Sequence, residues 1–352
     1  MDTSIIFETR KLLGVVQEKN FSCHTFLRDR FFKNKVTFDT EKIDFDIVGE
    51  NGRRLAPFVN PKIGGKVVSR EGFSTQTYTA PLLSPETMTV AEEFLKRTAG
   101  ETVYGSKSPV QRAAEAATRD MKMLDEMIAR REETMCAQAL FTGKVEVKGD
   151  GYDDVVDYWR DLAEADKPET TLTTKWDASG VTADTVFADI RAIRRSMIKK
   201  SGFTPKEMIC GTQVIEKILP LLTGAKALDT RRVDMGQVDP QHLPNGVTYW
   251  GYLKDSAMDI YSYDEYYLDP DGTEKPMVPE KKVLFASSDV RTTMAYGAVT
   301  IANDNSLAWI AESRVPSSYI QKRPAGRVIK LESRPLPIIN QVYGFHVLNP
   351  LA

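Results

Sequence analysis

The sequence predicts an α+β protein whose parts do not all bury themselves, and three features predict it. Ser108 to Gly143 reads as one uninterrupted helix. Residues 43–83 read as a β-ribbon with an apolar face on only one limb. Strand-like runs dominate residues 247–302, after a helix over about 182–202. The length of 352 residues suits two domains or one large one. Folded compactly, the chain would keep roughly 14,000 Å² of surface, so a sizeable core needs no staples. Forty-seven Lys and Arg oppose forty-nine Asp and Glu, a net charge of −2. That balance argues against a dedicated duplex-binding protein, which needs concentrated positive charge to displace counterions.

Residues 5–35 read as a helical, mildly basic arm. Arg10, Lys11, Lys19, Arg28, Arg30, Lys33 and Lys35 outnumber Asp2, Glu8, Glu18 and Asp29, and Phe26, Phe31 and Phe32 supply an anchor. Ile43-Asp44-Phe45-Asp46-Ile47 then alternates with period two, the mark of a strand with one apolar face. Gly49–Gly52 and Gly64-Gly65 are turn signals. The returning limb, Ser74 to Thr79, is strand-prone through Thr and Tyr but has little to bury. A lone two-stranded ribbon is marginal in water, so this one needs a partner, either the rest of this chain or, as the pattern favours, another copy.

The long helix has its own punctuation. Ser108 caps it, Pro109 suits the first helical position and Gln111 completes a capping box. Gly143 suits the residue after the last turn. The helix should be roughly 50 Å long at 1.5 Å per residue, far beyond the usual length. Its apolar stripe is Ala114, Ala117, Met121, Leu124, Ile128 and Met135, with Arg131 standing where Leu is expected. Arg119, Lys122, Asp125, Glu126, Arg130 and Glu133 are expected on the charged, opposite face.

Lys144–Lys148 alternates as a strand, Gly149–Gly151 turns it, and Val155–Trp159 can return. The next helix runs from about Thr182 to Gly202 and buries Val186, Ile190, Ile193 and Met197. Arg191, Arg194, Arg195, Lys199 and Lys200 gather in its C-terminal half. Complementing the helix dipole is the simpler account of them, and a polyanion contact is the alternative. Glu207–Gly211 is a short strand leading into the helix Thr212–Leu219. The tyrosines 261, 263, 266 and 267 fit a sheet surface or interface better than a base-stacking platform. The tail from Arg327 to Leu348 is β-like, and Pro335 and Pro337 suit an edge or bulge.

Motifs for catalysis or cofactors are sparse. Cys23, Cys136 and Cys210 lie far apart with no CxxC, and His24, His242 and His346 form no metal-binding spacing. Gly65-Lys66 lacks the Ser or Thr of a phosphate loop. Asp269-Pro270-Asp271-Gly272 reads as a turn rather than a calcium loop. No cofactor or metal is expected. The N-terminus is too polar for a signal peptide, and no apolar run is long enough for a membrane span. The expectation is a soluble protein of a reducing compartment.

Taken in order, several segments resemble the major capsid proteins of lambda-like tailed phages, the phage major capsid protein E family. They are Phe26-Leu27-Arg28 with Phe31-Phe32, Thr40-Glu41-Lys42, Arg70 to Thr79, Leu228 to Arg232, Asp259 to Ser262 and Pro335-Leu336-Pro337. The resemblance covers essentially the whole chain and rests on the joint order of segments, none of which is a catalytic signature. It implies the Hong Kong 97-type capsid fold, in which an arm and an extended loop reach onto neighbouring subunits. On this sequence that means an N-terminal arm 1–42 and an extended β-loop 43–84. The peripheral domain would be 85–178 and 324–352 with a spine helix 108–142, and the axial domain 179–323. The site residues that follow are contacts between subunits: Phe31, Phe32, Arg54, Arg70, Tyr78, Arg231, Arg232 and Tyr267.

The function this implies is structural and non-enzymatic. The chain would self-assemble as hexamers and pentamers of an icosahedral phage or prophage head around double-stranded DNA. Its partners would be other copies, a portal, a scaffold and in some members a decoration protein, with no membrane. It would reside in the virion, and in the host cytoplasm before assembly. Two alternatives stand beside this: a cargo-enclosing nanocompartment shell of the same fold, and an α+β enzyme using carboxylates such as Asp153-Asp154, which read equally well as a turn.

Overall fold

The structure is a computed structural model. It describes residues 25–48, 73–90, 108–149, 152–224, 228–229, 241–243, 246–269, 271–303, 306–323 and 325–352. Among the described residues four α-helices organise it: α1 (Leu27–Phe31), α2 (Pro109–Thr142), α3 (Ala183–Ser201) and α4 (Thr212–Gly224). The long helix is as punctuated as its sequence. The Ser108 hydroxyl accepts from the Gln111 N–H at 3.2 Å while Gln111 Oε1 accepts from the Ser108 N–H at 3.0 Å. At the far end Gly143 turns at φ +65°, and its N–H closes on the Ala139 carbonyl. A Cβ there would sit 2.2 Å from the Trp159 ring, so both space and backbone angle require glycine.

An eight-stranded sheet forms the centre. Its order is Gln241–His242, Val247–Leu253, Met258–Tyr263, Glu207–Cys210, Val283–Ala286, Phe345–Asn349 and Glu169–Thr171, with Leu228–Asp229 beside the second. Alternation along its strands feeds two cores. Met208, Cys210, Met258, Ile260, Val283 and Phe285 face α3 and α4. Ile209, Tyr261, Leu284, Ala286 and Val347 face the larger core, which also holds the end of α2 from Met135 to Phe141. The first part of α2 lies elsewhere. Ala113, Ala117, Met121, Leu124 and Ile128 pack on Ile329 and Leu331 of a three-stranded flank sheet. That sheet is Val315–Lys322, Ala325–Glu332 and Glu86–Val90.

Several expectations change. The arm, expected helical over 5–35, is helical among the described residues only at Leu27–Phe31. Asn34–Thr37 is instead a strand, parallel to Thr293–Tyr296. The ribbon limbs pair as expected, Lys42–Val48 against Phe73–Thr79. Its root is not partnerless, however, because Ile43, Phe45 and Ile47 are buried in the chain's own core. The tail is likewise internal: Pro335–Ile339 is buried throughout while forming an edge strand. Asp153 and Asp154 lie within the strand Tyr152–Asp157 rather than in a turn. The segment Asp269–Gly272 does turn, with the Gly272 N–H on the Asp269 carbonyl and φ +76°.

Strand pairing also crosses the expected domain boundaries. Glu169–Thr171 and Phe345–Asn349 join the central sheet, although both fall in the segments assigned to the peripheral domain. Val315–Lys322, assigned to the axial domain, belongs to the flank sheet. Composition does not change at these points. Ladder hydrogen bonds recruit distant segments, and periodicity within a strand says nothing of its neighbour.

Candidate functional site: the arm anchor and the ribbon root

The densest polar chemistry among the described residues lies where the arm crosses α2. α1 directs its first amides at Glu133. Oε1 accepts from the N–H groups of Phe26 at 3.0 Å and Leu27 at 2.6 Å, and Oε2 from Arg28 at 2.9 Å. These are helix-end donors that would otherwise be orphaned in a buried place. Burial pushes the Glu133 carboxyl above its usual range, against the opposing pull of those three amides.

Its neighbour Glu132 is fully buried and has cations on both sides. Arg28 Nη1 lies 2.7 Å from Oε2, and Arg314 donates to both oxygens at 2.7 and 3.0 Å. Arg314 Nε also reaches Asp125 at 2.6 Å. Burial alone would raise the Glu132 carboxyl, but Arg314 and Arg28 together hold it below the usual carboxylate range. Arg314 precedes the flank sheet strand Val315–Lys322, so one buried carboxylate ties arm, helix and flank sheet together. A buried pair of this kind adds little net stability against an apolar replacement, yet losing one partner is costly.

The arm continues onto the central sheet. Arg30 Nε bonds Glu207 at 2.5 Å, and its guanidinium lies 4.6 Å from the centre of the Tyr261 ring. Phe26 packs on Tyr261 and Tyr263, each at 5.6 Å between ring centres. Phe31 meets Phe345 edge-on, and its carbonyl accepts from the Thr292 hydroxyl. Residues 26–37 therefore form a strap across α2, the central sheet and the small sheet of Thr292–Tyr296 and Pro335–Ile339.

The ribbon root is fastened beside it. Phe45 packs on Tyr158, whose hydroxyl donates to the Pro337 carbonyl. Thr75 and Thr77 bond the carboxylates of Asp46 and Asp44 across the ribbon. Asn340 Nδ2 donates to the Asp46 carbonyl at 3.1 Å.

The residues expected at subunit contacts divide into three groups. Phe31 and Phe32, 6% and 1% exposed, are corrected to anchors within the subunit, because both rings are in its own core. Tyr78 packs half-buried on that core opposite Ile43, and Tyr267 does so beside a groove lined by Met127, Arg130, Arg131 and Leu268. Arg54, Arg70, Arg231 and Arg232 lie outside the described residues. The sequence reading missed Glu132 and Arg314, and it put Glu133 and Asp125 on the solvent face. A signal was present: Met135 to Phe141 is apolar except for Gln138, and a helix end apolar on nearly every side is buried.

Among the described residues, no group of three or more His, Cys, Asp or Glu is placed to hold a metal ion. No described helix is long and apolar enough to cross a membrane. The thiols of Cys136 and Cys210 are buried and pushed above their usual range, which disfavours the nucleophilic thiolate.

Comparison with known proteins completes the description. The family described as phage major capsid protein E matches residues 8–344. The major capsid protein of Enterobacteria phage P21 is 27% identical over 343 residues, covering 95% of this chain and 96% of the relative. The major capsid protein of Escherichia phage lambda is 24% identical over 341 residues, with the same coverage. A crystal structure of a prophage protein from Escherichia coli CFT073, assigned as a capsid protein, shares the fold. Its TM-score is 0.70 at 19% identity, over 98% of this chain and 99% of that one. A phage-related protein from Bordetella bronchiseptica RB50 aligns with a TM-score of 0.53 at 12% identity, over 98% and 97% of the two chains.

Proposed function

The chain belongs to the phage major capsid protein E family, and from that premise we propose how it works as a structural protein of a phage or prophage capsid shell. The observation that carries the reading is the match of a single capsid family over residues 8–344. In the proposed mechanism the strap makes arm, α2 and central sheet one plate. The buried Glu132 and Glu133 contacts hold the long helix at a set angle to the sheet. Copies of this plate associate as hexamers and pentamers and enclose double-stranded DNA. Residues 49–72, between the paired limbs, carry contacts to the next subunit, and Arg54 and Arg70 lie among them. Arg231, Arg232, Tyr78 and Tyr267 are proposed as further contacts. A portal and a scaffold join the assembly, as does a decoration protein in some relatives. The subunit folds in the host cytoplasm before entering the virion.

The arrangement of arm, ribbon and domains stays as proposed, with the central sheet drawing in 169–171 and 345–349. The test replaces residues 49–72 by a short turn, keeping Ile43, Phe45, Ile47 and Tyr78 in place. The variant should melt like the parent yet form no particles in sedimentation or negative-stain microscopy. Particles of parental size from this variant would overturn the role given to the loop.

A further inference from the structure

The helical side of the central sheet carries a feature to which the shell reading above assigns no role. α3 buries Val186, Phe187, Ile190, Ile193 and Met197 against the sheet. Its opposite side exposes Arg191, Arg195 and Lys199, four residues apart in each step and therefore in line along the helix. Ala188 and Ala192, also exposed, flank them with small side chains. The result is a cationic ridge with low shoulders, which a bulky chain can approach closely.

Dipole complementation accounts for only part of it. The last turn contains Lys199 and Lys200, and the dipole's influence fades beyond that turn. Lys200 has its own partner in Asp166, and Arg191 has Asp255 at 3.5 Å. Among the described residues, Arg194, Arg195 and Lys199 have no carboxylate partner, and Arg194 Nε is buried without a hydrogen bond. The exposed acid of this helix, Asp184, lies about 16 Å along the axis from Arg195, beyond the screening length of physiological salt. On a chain of net charge −2, this is a local departure from balance.

We propose that the outer ridge of α3 is a sequence-independent contact for the phosphate backbone of duplex DNA. The inference rests on the shell reading above and adds which side of the subunit meets the enclosed nucleic acid. The ridge spans about 12 Å, over which a duplex presents roughly seven phosphate charges. Two or three cations can neutralise only a few of these. Each subunit therefore binds weakly, and repetition around a shell supplies the avidity. Weak contact also suits the chain's overall neutrality, since a tightly binding surface would need far more positive charge.

The test compares the full-length wild-type subunit with the double variant Arg195→Ala/Lys199→Ala. Anisotropy of a labelled random-sequence duplex is measured from low to physiological salt. The wild type should bind at low salt, with affinity falling steeply as salt rises. The double variant should bind more weakly, its log–log salt slope reduced by about two. The charge-keeping variant Arg195→Lys/Lys199→Arg should restore the slope, and all three proteins should form the same particles. No binding by the wild type, or equal slopes for wild type and double variant, would overturn the proposal. Loss of particles with an unchanged slope would also overturn it and reassign the ridge to a contact between copies. The free subunit reports the slope without particles, so failure of the shell reading is a separate result.

Discussion

The two ends of α2 share one helix but not one kind of burial. From Ala113 to Ile128 the helix is one-sided, with a stripe on the flank sheet while Met123 and Met127 stay 45% and 49% exposed. From Glu132 to Ala137 every residue is buried, two carboxylates among them. The first end is held mainly by apolar contact, with Thr89 on Asp120 and Arg314 on Asp125 as its polar ties, and its nearby Lys122–Glu126 pair is exposed at 3.8 Å. The second end is where three distant segments converge, and their charges had to be neutralised inside. A long helix can therefore be ordinary at one end and a structural hub at the other.

Removing a carboxylate at each end gives the sharpest contrast. Glu132→Ala leaves Arg28 and Arg314 facing each other in a buried space, which should cost about 3–5 kcal/mol. Glu126→Ala should cost less than about 0.5 kcal/mol. Urea denaturation of both variants measures the difference, and equal midpoints would erase it.

Acid should act on the buried side as well. His346, 8% exposed beside Thr170, is held neutral by burial with Lys200 nearby, its pKa pulled down to about 4. A histidine lowered in the folded state contributes stability above its free value near 6.5. That contribution is lost as pH falls towards 4, amounting to about 3 kcal/mol in all. Glu132, also lowered, adds its own loss below the free carboxylate range. Denaturation midpoints followed from pH 7 to 4 should fall, and His346→Gln should flatten the earlier part. An unchanged profile in that variant would assign the loss elsewhere.

Gly143→Ala probes the buried terminus, where a Cβ meets the Trp159 ring. It should cost on the order of 2 kcal/mol through backbone strain and overpacking. Ser108→Ala probes the open terminus and should cost about 1 kcal/mol by removing the capping box. Its effect should be local, seen as faster hydrogen exchange in the first turn while the global midpoint moves little. If the two substitutions cost the same, the distinction between the ends is weaker than their burial indicates.

Much of the fold was legible in the residues. The span of α2, its capping box and its terminal glycine were explicit, as were the limits and buried face of α3. Local rules govern these features, so a short window contains the information. The anchor was only half legible. Phe26, Phe31 and Phe32 announced something to bury, but not what would receive them. Glu133 read as a solvated charge because a helical wheel assigns faces from apolar spacing alone, and Arg314 gave no sign of its partners.

The sequence by itself determined the long helix, the ribbon, the strand-rich remainder and membership of a capsid family through the order of its segments. Only the tertiary structure decided that the ribbon root, the tail and the arm's Leu27, Phe31 and Phe32 are internal. It alone showed that Phe345–Asn349 closes onto the central sheet, and that Glu132 is shared by Arg28 and Arg314. The physical reason is range. Helix caps and strand alternation are written within a few residues, whereas a buried charge survives only if partners more than a hundred positions away arrive beside it.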